Sequence, residues 1–425
     1  MDEREAIAWL HRRVGFGLAP GELDTAVTLG VDAVVDRLVD PDDNGVGPAP
    51  DPWAHIELTT NRQRPVRDEA KAVVAAWIPG LASGPRPTES WLTWFWHGHF
   101  SVSIAKVRFA SMMVEHLRLL RSAGRGSFAS LLRHVSVDPA MLIWLDGRDN
   151  TRATPNENYG REVLELYSVG LDGYTEADVA AATSAVSGWK VERSDPAVGR
   201  FVAKNHADGA QSLLGRPDVR DLDGVVATIV ADPACARFVA ARLATAVLGD
   251  AADDGLVSDL AATFTRSDLD VSALLRATIE AGLARLDTGT RTVTAPVPWL
   301  AAALRATGAE AKPKALLAGL QSAGQVPMTP PNVGGWPDGP AWLATSAVVG
   351  RQNLAVLVAQ ATATDAPARR LATAADDDAL ADLLARPGGF SPATCAALAA
   401  ARNAGGPPGI APLAVALASP DLMVA

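Results

Sequence analysis

Apolar residues recur every three or four positions through most of this chain, and that spacing commits it to helices. In AKVRFASMMVEHLRLLRSAG, residues 105–124, the period predicts one helix with Gly124 at its stop. DPAMLIWLDG sets Asp138 as a cap and Pro139 at the first helical position, where a missing N–H costs nothing. CARFVAARLATAVLG and SALLRATIEAGLARL repeat the pattern. Alternating runs are scarce, and WKVERSDPAVGRFVAK, residues 189–204, reads as one hairpin turning at SDPAVG. The fold class that follows is mainly α: a large multi-helix globular fold with at most one small β-hairpin. Residues 360–410 are rich in alanine and read as surface helices. The organisation is either a single helical domain over 1–425 or two packed lobes, 1–188 with the motifs and 205–425.

Charge and cysteine content narrow the function classes. The net charge is −10, and no run of Lys and Arg makes a basic face, so a nucleic-acid partner is not expected. Cys235 and Cys395 have neither CxxC nor zinc spacing. The N-terminus is acidic where an export signal is basic, and Arg12-Arg13 is followed by the glycine-broken VGFGLAPGELD. No apolar run approaches the roughly 20 residues that span a bilayer. A cytoplasmic protein with no membrane partner is expected.

Three clusters carry chemistry. The first is WLTWFWHGHF, residues 91–100, in a helix that Thr88 is placed to cap after Pro87. At about 100° per residue, Trp91, Trp94, Phe95 and His99 share one side and His97 points nearly opposite. Such a helix is either a packed aromatic core with a satisfied histidine or the wall of a site.

The second cluster is PNENYGREVLELYSVGLDGYTEADV. Asn156 is expected to cap a helix ending near Gly170, with Tyr159, Val163, Leu166 and Tyr167 on its apolar face. Glu157, Arg161 and Glu165 form one stripe; Glu162 lies at the apolar border and Asn158 between the two. Facing solvent, the stripe is a salt-bridge ladder worth a few tenths of a kcal/mol per pair. Turned inward, His99, Glu157, Glu162 and Glu165 are candidate ligands for a divalent metal ion, with Asn156 and Asn158 as binding residues. Such an ion would activate water or polarise an ester. His99 and Glu162 would then be catalytic, and Arg161 or Lys106 would hold an anionic group. Thr175 and Asp178 form a capping pair for the next helix, which Gly188 ends. The third cluster, PPNVGGWPDGPAW, would hold Trp336 rigidly with Asn332 capping the loop, as the rim of a pocket or a plug over the core. No phosphate loop, G-x-S-x-G elbow or H-E-x-x-H is present.

These stretches, with RRVGFG near the start, APVPWLAAALRATG and ALASPDLMV at the tail, run almost end to end in order. Together they resemble bacterial domain-of-unknown-function family 1800. That family's central motif reads approximately N-E-N-Y-A-R-E, and Gly160 stands where alanine is usual. Its H-D-x-G-x-K segment is altered here, with Ala207 and Gln211 at the Asp and Lys positions after His206. The resemblance implies no settled activity. It implies that relatives are commonly exported, and that a sulfatase-like hydrolase, whose gene often lies nearby, is a candidate protein partner.

Two functions follow from these residues. One is a metal-assisted, hydrolase-like enzyme with a His/Asn/Glu/Arg polar cluster in which His99 and Glu162 approach each other. The other is a non-catalytic helical scaffold or partner protein whose polar motifs are struts.

Overall fold

Capping chemistry sets where the helices begin. Asp2, Asp138, Asp221, Asp253 and Asp270 each accept a backbone N–H in the first turn of the helix that follows. Proline occupies the first turn at Pro87, Pro139, Pro233 and Pro296. The computed structural model describes residues 2–59, 67–286 and 292–424. Helices follow one another from Glu3–Val14 to Pro420–Met423, and the mainly α class expected from the periodicity holds.

Among the described residues the named strands form two antiparallel pairs. Trp189–Glu192 pairs with Val198–Phe201, inside the expected hairpin. Gln211–Leu213 pairs with Arg216–Val219, a second hairpin that the sequence did not announce. Only Leu213 and Val219 of it are buried, so it has no alternating face to reveal it.

Three boundaries differ from the periodicity. Residues 105–124 form two helices, Ile104–Val107 and Ala110–Ala123, parted where Arg108 takes a left-handed φ of 67°. A one-residue reversal leaves the apolar spacing nearly intact and is invisible to it. The aromatic helix is Pro87–His99, preceded by Arg86, with Thr88 buried in its first turn instead of capping it. The motif helix is shorter than expected, Asn158–Glu165. Beyond it the Tyr167 N–H bonds the Glu162 carbonyl, and the N–H groups of Val169 and Gly170 share that of Leu164. Gly170 then reverses the chain at φ 81°.

The buried apolar residues form a continuous cluster from Ile7 to Leu417, drawn from both sides of the first hairpin. The alanine-rich segment contributes Ala368, Ala372, Leu380 and Leu398 to it, so its helices lie on the surface with their inner faces packed. No single helix among the described residues is long and apolar enough to cross a membrane.

Candidate functional site: an aromatic cleft

The aromatic helix does both things its sequence allowed. One side faces a cleft of about 540 Å³, lined by Trp91, Trp94, Phe95 and Gly98. Trp91 stacks on Phe95 with centroids 5.8 Å apart and planes 10° apart. Trp94 stacks on Trp336 at 5.2 Å and 23°. The other walls are Arg12 and Arg13 from the N-terminal helix, Arg242 from Pro233–Leu248, and Trp336, Asp338 and Trp342 from the loop region.

The loop is held by backbone contacts. Gly335 packs so closely on the aromatic helix that a Cβ there would lie 2.5 Å from the Gly98 carbonyl oxygen. Its φ of 85° also requires glycine. Asn332 caps the loop as expected: its Oδ1 accepts from the Gly334 N–H at 2.9 Å, and its carbonyl accepts from Ser101 Oγ at 3.3 Å. Asn332 therefore shapes the rim, while Trp336 lines the cleft.

Both histidines of WFWHGHF are buried, back to back. His97 Nε2 accepts the Met328 N–H at 3.0 Å, which places the ring proton on Nδ1. Its ring lies 5.3 Å from Trp336 and 6.5 Å from His116. His116 Nδ1 is 3.0 Å from Asp138 Oδ2, and the same oxygen accepts from the Met141 N–H at 2.9 Å. His99 Nε2 donates to the Tyr167 carbonyl at 3.0 Å inside a box of Phe95, Trp96, Phe100 and Phe238. Burial, then nearby Arg242, pushes the His99 pKa down to about 3, against the pull of the Tyr167 carbonyl. His99 is thus a neutral core histidine, not a wall of the cleft.

The cleft is rich in guanidinium groups. Arg13 is 4% exposed. Its pKa falls to about 9, through burial and then repulsion from Arg12 and Arg386. Arg386 falls to about 10, first through burial and then through Arg12. Arg12 donates Nη2 to Glu5 at 2.6 Å and Nη1 to the Ala385 carbonyl. Arg351 is fully buried and donates to the carbonyls of Thr294 and Trp342, both on the cleft wall. Sequence reasoning missed Arg12, Arg13, Arg242 and Arg351. The RRVGFG stretch was a signal, but nothing in the sequence says which distant segment it meets.

The polar motif residues lie elsewhere, and they do not form the metal site expected of them. Arg161 is bidentate on Glu176, at 2.8 and 2.7 Å, and only 3.6 Å from Glu157. Glu165 accepts from the Tyr174 hydroxyl. Lys106 Nζ donates to Asp146 Oδ2 at 2.8 Å and to the Trp144 carbonyl at 2.7 Å, and Asn158 Nδ2 shares that carboxylate at 3.2 Å. Asn156 Oδ1 accepts from the Asn158 N–H at 3.1 Å, but it is not the expected cap: Glu157 holds the N-cap position, with no side-chain cap of its own. Among the described residues, no three His, Cys, Asp or Glu side chains are placed to hold one ion. Nor does any hydrogen bond or ion pair there join His99 to Glu162. They meet Tyr167 from two sides through its backbone: His99 at the carbonyl, Glu162 at the N–H. The reason is rotation. The helix turns Glu157, Arg161 and Glu165 outward toward Glu176 and Tyr174 and buries Tyr159, Val163 and Leu164. Thr175 and Asp178 form the expected capping box.

A mainly helical fold with an aromatic, arginine-lined cleft is the class these elements define. The chain belongs to the family described as protein of unknown function (DUF1800), whose model matches residues 9–424. No curated protein and no solved structure matches it.

Proposed function

We propose that this protein binds a ring-bearing small molecule in the cleft between the aromatic helix and the 327–343 loop, and that the polar motif helix is a structural network. The observation that carries this is the Trp94–Trp336 stack, held rigidly at the edge of an open cleft with Trp91 and Phe95 beside it. Indole faces bind flat rings with little loss of side-chain freedom. A metal-assisted hydrolase built on His99 and the Glu157–Glu165 carboxylates has less support, because those groups have separate partners. A pure scaffold would need no such cleft.

Naphthamide, a neutral flat probe, should quench tryptophan emission saturably with one site per chain. Trp336→Ala should weaken that binding by about tenfold, the equivalent of roughly 1.4 kcal/mol. Unchanged affinity in Trp336→Ala, or no saturable binding to the native chain, would remove the proposal.

A further inference from the structure

We infer that the ligand of this cleft carries an acidic oxyanion, which sits at its arginine end beside Arg12. The inference rests on the cleft being a ligand site and names the class of ligand it takes.

The first ground is charge placement. The whole chain is acidic, with 38 Lys and Arg against 48 Asp and Glu. The cleft reverses that balance: Arg12, Arg13 and Arg242 line it against Asp250 and Asp338. Asp338 pairs with Arg242, at a long 3.4 Å.

The second ground is crowding. A narrower apolar pocket adjoins the cleft, sharing Arg12, Trp91, Thr294 and Pro298 with it, and adds Arg386. Arg12 lines both spaces, Arg13 the cleft and Arg386 the adjoining pocket, and Arg13 feels the charge of the other two. Guanidinium groups gathered at a half-buried site repel one another, and each has lost part of its hydration. Burial first, and then repulsion from Arg12, lowers the pKa of both Arg13 and Arg386, with Arg386 adding to the effect on Arg13 and with Glu5 and Asp421 opposing it at Arg386. Glu5 engages one edge of Arg12, and Arg386 donates Nη2 to the Val424 carbonyl at 2.8 Å. Asp421, which partly offsets the Arg386 charge, accepts from the Ser391 N–H and hydroxyl, both at 3.0 Å. An incoming carboxylate, sulfate or phosphate relieves the repulsion and takes charge-assisted hydrogen bonds. The stacked indoles lie along the same cleft, so one molecule with a ring and an acid group spans both features.

The test uses the intact chain and a matched pair of probes, naphthoate and naphthamide, which differ chiefly in charge. Calorimetry should find naphthoate bound about tenfold more tightly, a preference that falls as salt rises while naphthamide binding stays constant. Arg386→Gln and Arg12→Gln should each bring the two affinities to within about twofold. Arg12 also anchors the Ala385 carbonyl, so the salt series on the unmodified chain stands as the second measurement. Naphthalene sulfonate and naphthyl phosphate, run alongside, rank the three acids. A ratio near one in the unmodified chain, or a salt-independent ratio that survives both substitutions, overturns the inference. If neither ring probe binds, but inorganic sulfate raises the melting temperature of the unmodified chain and not of Arg386→Gln, the ring-binding function falls and the anion site stands.

Discussion

Met328 donates its backbone N–H to Nε2 of His97 at 3.0 Å, although 231 positions separate them. Met328 holds φ 60°, and its carbonyl accepts the Ile104 N–H at 2.9 Å, so the residue is clasped on both sides. His97→Phe keeps an aromatic ring but leaves a buried N–H without an acceptor. We expect a stability loss of about 1–3 kcal/mol in urea melts. Naphthamide should also bind more weakly, because Trp336 sits on the same loop. An unchanged urea midpoint would show that the bond does not anchor the loop.

Acid should destabilise the chain well before its carboxylates titrate. Burial is the leading cause that holds His11 near pKa 4 and His99 near 3, below their ordinary 6.5. An unfolded histidine has taken up its proton at a pH where these two remain neutral. Their contribution to stability is therefore present above about pH 6.5 and drains away as the pH falls toward the folded values. Each histidine contributes at most about 1.4 kcal/mol per pH unit in that window. Urea midpoints should decline steadily from about pH 7 to about pH 5. His99→Phe should flatten the decline, and a slope identical to that of the unmodified chain would contradict this account.

Gly160 packs closely against Thr183 and Val179 of the next helix. A Cβ there would lie 2.3 Å from Thr183 Oγ1, 3.0 Å from the Thr183 nitrogen and 3.1 Å from the Val179 carbonyl oxygen. Alanine would gain about 1 kcal/mol of helix propensity. The contact should outweigh it, so Gly160→Ala is expected to lose about 1–2 kcal/mol net. Adding Thr183→Ala should recover part of that loss, and strict additivity of the two changes in chemical melts would disprove the coupling.

Helix class, caps at Asp138 and Thr175, and the first hairpin were legible because each is decided within a few residues. The aromatic helix was half legible. The shared side of Trp91, Trp94 and Phe95 was visible in the spacing. His97, expected nearly opposite, packs 6.1 Å from Trp94, and His99 turns into the core. Which face opened onto a cleft depended on the 327–343 loop and on Arg12 and Arg13. The motif helix misled for a related reason. Glu157, Arg161 and Glu165 have one spacing whether they face inward or outward, and Glu176 and Tyr174, from the next turn and helix, settle the matter.

Glu162 separates the two readings of that helix. Its carboxylate is half-buried, and burial first, then Glu165, raises its pKa, with Arg161 opposing. A raised carboxyl pKa means that ionisation at neutral pH costs the folded state stability. Glu162→Gln removes that cost, and we expect a change within about 1 kcal/mol, toward higher stability, at neutral pH. A loss on the order of 3 kcal/mol would mark Glu162 as half of a buried ion pair instead.

The Pro87–His99 helix is committed on both sides: Trp91 and Trp94 to the cleft, Trp96 to the Gly124 carbonyl, His97 to the loop, His99 to the Tyr167 carbonyl. Little in it is free to vary without unseating something else. The arginines and aspartates across the cleft belong to other elements and carry the charge separately. If the cleft holds a ligand, its charge can be retuned at the exposed Arg242–Asp338 pair, while Arg12, tied to Glu5 and the Ala385 carbonyl, and the stacking wall are inherited together.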